Sequence, residues 1–593
     1  MASYKTPLRD MRFVYNELFD PKAIQALPGC EEVTPDLVDA ILEEAGKFCE
    51  ERLFPLNRSG DEEGCHFENG KVTTPAGLKE AYRDFYEMGW GALAADPEYG
   101  GQGLPESLSM MVEEIMCSTN FAFSLYPGLT HGAYNALVAR ASEELKQAYL
   151  PNMVAGKWSG SMCLTEPQCG TDLGLIRTKA EPQDDGSYRV TGTKMFITAG
   201  EHDLTENIIH LVLARTPDAP KGIKGISLFL VPKIQVNGDG ELGQPNGVSC
   251  GSIEHKMGIN ASATCVMNFD DAQGFLVGKL NKGMEAMFIM MNTERLAVGI
   301  QGLAIGEAAY QGAVAYARER LQGRALKGPK SPDKPADSLL VHPDVRRMLL
   351  IQRAYTEGNR ALAGWVATEM DHAHRNPDPR RRQEAEDFVA LMTPVVKAFM
   401  TDTGSEMANL GVQVFGGHGY IREHGMEQYI RDARIAQIYE GTNGIQAMDL
   451  VGRKMPAHMG RYLRRFFHPV RDYLEAKEHD FTMHAFLLPL AKAFGRLQKA
   501  TAFLAQRGMA NPEEAGAAAA EYLRLFGLVA LGYLWMRMAE IGLQKRDEDP
   551  LFYQAKVDTA RFYFERILPQ SSALFASIMA GSKCMMKFND DAF

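Results

Sequence analysis

Apolar positions along the chain change their period twice. Between Leu37 and Phe54 the residues Leu37, Ile41, Ala45 and Phe48 recur at helical spacing, and Pro55 is expected to stop that helix. Further helical patterns run from Pro75 to Met88, Ser107 to Ser118 and Gly132 to Leu150, with a glycine-rich loop over Asp96–Gly103. Beyond about residue 160 the pattern shortens. Ser187–Val190, Lys194–Ile197, Ile208–Ala214, Ser227–Val231 and Ala263–Phe269 are rich in β-branched and large apolar residues and separated by Gly, Pro, Asp and Asn, which predicts strands. Helix returns at Gly283. Glu285–Arg320 reads as one long helix or two abutting ones, followed by a polar, proline-rich excursion over Gly328–Asp337 and helices at Val345–Met370 and Glu384–Asn409. Several more helical patterns fill residues 457–593. The predicted fold class is α+β, with an N-terminal helical domain (1–160), a middle β domain (161–280), a C-terminal helical bundle (281–455) and an additional helical C-terminal region (456–593).

A chain of 593 residues is too long for one small core, which agrees with several domains. Its 63 basic and 75 acidic residues leave a net charge of −12, so no nucleic-acid partner is expected, although a local basic patch could hold one anionic ligand. Nine cysteines without pairing rhythm predict free, mostly buried thiols in a reducing compartment. The N-terminus carries no apolar signal core. The apolar run Leu525–Met536, flanked by Arg524 and Arg537, is too short for a bilayer helix and reads as core, so no transmembrane segment is expected. The expected location is cytoplasmic, with peripheral contact at the inner membrane left open.

One dinucleotide-type pattern, Gly238–Gly243 (GDGELG), lacks a strand–turn–helix setting, and Asp239 and Glu241 would oppose a pyrophosphate; it reads as a loop. There is no Walker A loop and no H-E-x-x-H, and Cys163 and Cys169 lack zinc-ligand spacing, so no metal is expected. Four segments carry more: Met162–Asp172 (MCLTEPQCGTD), Gly192–Thr198 (GTKMFIT), Gln413–Tyr420 (QVFGGHGY) and Arg431–Asn443 (RDARIAQIYEGTN). In this order they resemble the acyl-CoA dehydrogenase family, over roughly residues 35–455. Ile197–Asp203 (ITAGEHD), Ser252–Met257 (SIEHKM) and His342–Arg346 (HPDVR) resemble its large branch, which carries an added C-terminal helical region.

The resemblance implies FAD as cofactor, an acyl-CoA substrate, a homodimer or dimer of dimers, and electron-transfer flavoprotein as acceptor. In the family the flavin lies between the β domain and the C-terminal bundle, close to the partner subunit. The resemblance makes Glu440 the catalytic base, in a Tyr-Glu-Gly-Thr segment where burial can raise a carboxylate toward the range useful for removing an α proton. Its backbone N–H, with a flavin hydroxyl, would meet the thioester carbonyl. Tyr439 and Gly441 fall at the acyl pocket, and Arg295 near the CoA path. Leu164, Thr165, Gly170, Thr171, Phe196 and Thr198 match positions that frame the flavin ring. Arg320 matches a pyrophosphate arginine, although Gly323 stands where an aromatic is usual. Gln413, Gly416 and Gly417 match the adenosine–pyrophosphate segment, with tight helix packing as the other account of the glycines. Thr442 matches a flavin phosphate contact, and Gly444 replaces a usual glutamine. Glu166 and Glu254 are weaker choices for the base, Glu166 reading better as a loop anchor before Pro167. The expected reaction forms trans-2-enoyl-CoA from a medium- to long-chain fatty acyl-CoA. The alternatives are 3-methylmercaptopropionyl-CoA as substrate, an acyl-CoA oxidase, and a non-enzymatic flavin-binding scaffold.

Overall fold

The structure, a computed structural model, describes residues 4–237 and 240–593. Two compact units alternate along the chain: residues 1–44, 106–114 and 298–593 form one, and residues 45–105 and 115–297 the other. The secondary structure follows the helical, strand, helical order, with a further helical region at the C-terminal end.

The sheet-bearing unit is built on seven strands. Their order is Trp158–Cys163, Asn207–Ala214, Ser227–Pro232, Thr264–Val277, Tyr188–Thr198, Lys179–Pro182, with Val248–Ile253 also paired to Thr264–Val277. Asn207–Ala214 and Ser227–Pro232 are buried along their whole length, which explains their unbroken apolar runs. The strand Thr264–Val277 serves two neighbours in turn: residues 264–274 pair with Tyr188–Thr198, and 275–277 with Ser227–Pro232. A bulge between Phe269 and Ala272, with Asp271 at φ 54°, interrupts the first of these pairings. Ser187–Val190 and Lys194–Ile197, expected as separate strands, lie in the single strand Tyr188–Thr198. Gly192 does not break it; a Cβ there would lie 2.4 Å from Thr178 Oγ1, so the glycine permits close approach of the neighbouring chain. The strand Trp158–Cys163 and the small hairpin His66–Glu68/Lys71–Thr73 are additions to the expected elements.

Two helical boundaries differ from expectation, and a third alternative is settled. Pro55 does not end the helical run: Pro35–Phe48 passes through a π-turn at Cys49–Leu53 into Phe54–Glu63, where Pro55 occupies the first turn and needs no N–H partner. Gly132–Leu150 is two helices, Phe121–Arg140 and Glu143–Val154, separated where Ser142 caps the second by accepting from Leu145 N. Glu285–Arg320 lies in one helix, Gly283–Glu319. Of the dinucleotide-type pattern, Gly238 and Asp239 lie outside the described residues, and Leu242–Pro245 forms a strand paired with Ile234–Val236.

The helical unit centres on Pro343–Arg375 and Pro379–Phe415, which pack side by side. The apolar run Leu525–Met536 lies within Pro512–Gln544, a helix long and apolar enough to cross a membrane by length and composition, whose apolar window is 78% buried in the protein. It packs on Pro343–Arg375, Pro379–Phe415 and the short helix Asn443–Asp449. At Gly527 a Cβ would lie 2.2 Å from the Phe399 ring, so the glycine sets the close approach of two helices. Charge ties further segments of this unit to Pro343–Arg375. Lys556, fully buried, pairs with Asp10 and with Glu357 at 2.7 Å, while Arg360 pairs with Asp10, Glu114 and Glu307. Burial opposes the charge on Asp10, but Lys556 and Arg360 overcome it and hold its carboxyl at about 2. The polar excursion at 328–337 is ordered by Asp337, fully buried, which accepts from the backbone N–H groups of Ala325, Lys330 and Ser331.

Candidate active site

In the helical unit the helix Met426–Ala436 ends just before the Tyr-Glu-Gly-Thr segment. The chain then makes a left-handed turn: Glu440 has φ 48° and Gly441 φ 75°. Glycine takes this conformation readily, whereas a glutamate there stores strain that its surroundings must hold. Thr442 follows as the residue before the helix Asn443–Asp449, and its Oγ1 donates to Gln437 O at 3.2 Å. The Tyr439 hydroxyl donates to Gln301 Oε1, and Gln446 Nε2 donates to Gly441 O at 3.1 Å. Glu440 is half-buried, as are Tyr439, Gly441 and Thr442. Strain of this kind gathers at sites whose geometry is functional.

The same unit carries an open recess of about 540 Å³, lined by Tyr316, Arg320, Gln322, Gly416, Gly417 and His418 among others. Arg320 thus shares a wall with two glycines nearly a hundred residues away. Tyr316 stacks on Phe415 with centroids 4.1 Å apart, and its hydroxyl lies 3.0 Å from His418 Nδ1. Nothing stands within 4 Å of where a Cβ would be at Gly416 or Gly417, so tight helix packing does not account for them. Gly416 has φ 60°, which its backbone needs; Gly417 leaves main chain open to the recess. A recess with one guanidinium and exposed glycine backbone suits an elongated anionic ligand, and a dinucleotide pyrophosphate fits that description. Gln413 is exposed one turn before Gly416 but is not among the lining residues. Gly323, where an aromatic was expected, has φ 69° and lies beside His342.

In the sheet-bearing unit Leu164 and Thr165 follow the strand Trp158–Cys163, and Thr165 O accepts from Met195 N at 3.0 Å. This brings Thr165 beside the strand that carries Phe196 and Thr198. Lys194, fully buried, makes the junction by donating to Leu164 O at 3.0 Å and Glu166 Oε1 at 2.8 Å. Glu166 also accepts from Arg177 N, Thr178 N and Thr178 Oγ1. Burial would raise the Glu166 carboxyl, but Lys194 and these donors outweigh it and hold it at about 2. It therefore anchors this loop to the neighbouring strand. Phe196 stands out as 58% exposed with its backbone left-handed at φ 60°, an unusual setting for a large aromatic in a strand. Gly170 and Thr171 are exposed just after the turn that Glu166 and Cys169 close with paired backbone hydrogen bonds. Arg295 is buried in the helix Gly283–Glu319, its guanidinium 5.9 Å from the Phe288 ring centroid. Glu254 is half-buried next to exposed His255, with its N–H donating to Thr264 O at 2.8 Å. Among the described residues no cluster of three or more His, Cys, Asp or Glu could hold a metal, and all nine cysteines are free, seven of them buried.

Sequence profiles of four families match in consecutive order: acyl-CoA dehydrogenase N-terminal domain over 36–157, middle domain over 161–272, C-terminal domain over 281–455, and an acetyl-CoA dehydrogenase C-terminal-like domain over 466–589. The chain belongs to the acyl-CoA dehydrogenase family, oxidoreductases that act on acyl-CoA thioesters. It is 45% identical over 580 residues to 3-methylmercaptopropionyl-CoA dehydrogenase of Ruegeria pomeroyi, covering 96% of this chain and 97% of that one. It is 32% identical to the broad-specificity linear acyl-CoA dehydrogenase of Mycobacterium tuberculosis over the full length of both. The fold matches a Bacillus anthracis acyl-CoA dehydrogenase solved with FAD at a TM-score of 0.73, with 20% identity, covering 95% of this chain and 91% of that one.

The sequence reading assigned no role to the groups that support the turn: Gln301, Lys397, Asp402, Gln437, Asn443 and Gln446. One signal was available. Lys397 interrupts the apolar run Pro394–Met400, and a lysine inside a buried helical pattern needs a polar partner. The partner, Asn443, is 46 residues further on and not visible from spacing. Lys194, within the Gly192–Thr198 motif, is likewise a support that spacing alone does not reveal.

Proposed function

We propose that the protein is an FAD-dependent acyl-CoA dehydrogenase in which Glu440 removes the α proton of a saturated acyl-CoA. The observation that carries this reading is the left-handed Glu440–Gly441 turn, a strained backbone whose flanking residues Tyr439, Gly441 and Thr442 are each held by a hydrogen bond. Bound FAD would accept the hydride from the β carbon and leave a trans-2-enoyl-CoA. The protein's own part is to orient, to hold donors at the carbonyl, and to take one proton at a Glu440 carboxylate oxygen. The Glu440 N–H is assigned to the thioester oxygen, where it would stabilise the developing enolate. Tyr439 and Gly441 are assigned to the acyl pocket, and Arg295 to the CoA path.

FAD is assigned residue by residue. Arg320, Gly416 and Gly417 line the recess and take the pyrophosphate, with Gln413 and Thr442 as further contacts. Leu164, Thr165, Gly170, Thr171, Phe196 and Thr198 take the ring side, supported by the exposed, left-handed Phe196 and the Lys194 tie beneath Leu164. We assign a homodimer or dimer of dimers, with electron-transfer flavoprotein as acceptor. Hydrogen peroxide formed in proportion to turnover under air would instead define an oxidase.

For substrate we keep a straight-chain saturated acyl-CoA of medium to long chain. The full-length likeness to a broad-specificity linear enzyme supports it. The 45% likeness to an enzyme named for 3-methylmercaptopropionyl-CoA supports that thioether substrate as a second reading. Each methylene contributes only about 0.8 kcal/mol of discrimination, so the two are separated by measurement of a series. Anaerobic flavin bleaching against acyl-CoAs of increasing length and against 3-methylmercaptopropionyl-CoA is the test. The largest kcat/KM should fall on a straight-chain member. A dominant preference for the thioether selects the second reading, and bleaching by no acyl-CoA refutes both.

A further inference from the structure

We infer that Asn443 is a positioning residue: its side-chain amide ties the Glu440 turn to the helix Pro379–Phe415, and the aim of the Glu440 carboxylate depends on that tie. The inference rests on the reading of Glu440 as the base. Asn443 Nδ2 lies 2.8 Å from Asp402 Oδ1, 3.0 Å from Thr401 Oγ1 and 3.2 Å from Ala398 O. Its Oδ1 accepts from the fully buried Lys397 Nζ at 2.9 Å. At the other end of the turn Gln437 Nε2 donates to the same Asp402 Oδ1 at 2.7 Å. Asn443 N donates to Gln437 O at 3.1 Å and closes the loop. The ends of the segment that carries Glu440 therefore meet on one carboxylate oxygen. Glu440 lies midway between them, in the backbone conformation that most needs external support.

The choice of amide follows from the chemistry. Asn443 must accept from an ammonium and donate to a carboxylate at once, and among side chains of this length only asparagine offers both. Aspartate would accept from Lys397 but face Asp402 with like charge, and alanine would leave Lys397 and Asp402 short of a hydrogen bond each. A base displaced by about 1 Å loses rate on the order of a hundredfold even when substrate still binds. This separates a positioning role from a binding role. Loss of the tie should lower the rate of proton removal at saturation and leave KM for acyl-CoA nearly unchanged.

The test compares Asn443→Ala, Asp402→Ala, Asp402→Asn, the double alanine variant and Glu440→Gln, each as FAD-loaded full-length protein. Flavin reduction is followed by stopped flow across pH at saturating concentration of the acyl-CoA that reduces the wild type fastest. N443A and D402A should each reduce about 10- to 100-fold more slowly, with a displaced pH profile and a KM within a few-fold of wild type. The double variant should be no slower than the worse single one, because both remove one tie. D402N keeps an acceptor oxygen and should retain most of the rate. In flavin-free protein, amide hydrogen exchange should accelerate in N443A across residues 437–446 and stay unchanged in the sheet-bearing unit. If N443A does not fold, D402A and D402N carry the comparison. Wild-type rates and pH profiles in N443A or D402A, beside a slow E440Q, overturn this inference alone. A near-normal rate in E440Q overturns the base reading and this inference with it.

Discussion

Glu166 and Glu440 both stand in the segments that carry the family resemblance, and each belongs to a different compact unit. Glu166 is 4% exposed, paired with a fully buried lysine, and accepts from two backbone N–H groups and a threonine hydroxyl. Its acceptor capacity is spent on folding the loop Leu164–Thr178 against the strand Tyr188–Thr198. Glu440 sits on a backbone that resists it, with supports directed at its neighbours Tyr439, Gly441, Thr442 and Asn443. A carboxylate whose oxygens are all engaged at low pKa is a poor proton acceptor. A carboxylate on a strained turn whose chain neighbours carry the supporting hydrogen bonds fits the base proposed for Glu440. The two motif glutamates therefore differ in setting: one is tied directly into its loop, the other sits on a turn supported through its neighbours.

The sharpest break between them is Glu440→Gln. The amide keeps the volume but cannot accept the α proton, so flavin reduction should fall by about 10² or more while FAD occupancy and thermal stability stay near wild type. Stopped-flow reduction, flavin absorbance per protomer and a melt measure all three on one sample. If stability falls and the rate per loaded protomer holds, the comparison is inverted: Glu440 would be the structural group.

The mirror experiment acts on the other glutamate through its partner. Lys194→Met leaves the Glu166 carboxylate buried without its cation and should destabilise the protein by about 3–5 kcal/mol in denaturant titration at neutral pH. The pH dependence has a definite sign. The Glu166 pKa is depressed from 4.5 to about 2 in the folded protein, so its stabilisation is complete above the unfolded value and drains as pH falls from about 4.5 through 2. Without Lys194 the folded pKa rises, and the deficit relative to wild type should shrink as acid protonates the carboxyl.

The legible and illegible parts of this sequence divide along the same line. The long helices announce themselves because their apolar positions repeat, and Gly283–Glu319 and Pro379–Phe415 need only local spacing to be read. The motif residues Arg320, Gly416 and Gly417 were readable as a group, and they share one recess. Pro55 misled because a proline in a first helical turn looks in sequence like one that ends a helix. Gly192 misled because a glycine inside a strand marks either a break or a close contact, and Thr178 lies 14 residues earlier. The supports at Lys397, Asp402 and Asn443 escaped for the same reason. A buried polar tie is set by which helices meet, and spacing within one helix does not carry that information.

The smallest effect tests the comparison most finely, because it touches Glu166 without removing its charge partner. Thr178 Oγ1 donates to Glu166 Oε1 at 2.6 Å, and Thr178→Val keeps the β-branched shape while deleting that donor. The Thr178 N–H, 3.0 Å from the same oxygen, and Lys194 remain, so the carboxylate stays charged and partly satisfied. A hydrogen bond to a charged group contributes about 1.5–3 kcal/mol, and the surviving donors place the expected loss near 1.5 kcal/mol. Because the hydroxyl favours the charged form, its loss raises the folded pKa of Glu166, and the destabilisation should be largest at neutral pH and diminish below about pH 4. Chemical denaturation at pH 7 and near pH 2 measures both values. Turnover per loaded protomer should be close to wild type, since Thr178 serves the anchor and not the proton transfer. Equal losses at both pH values would show that the hydroxyl acts through packing against Gly192, and would weaken the case that charge at Glu166 holds this loop.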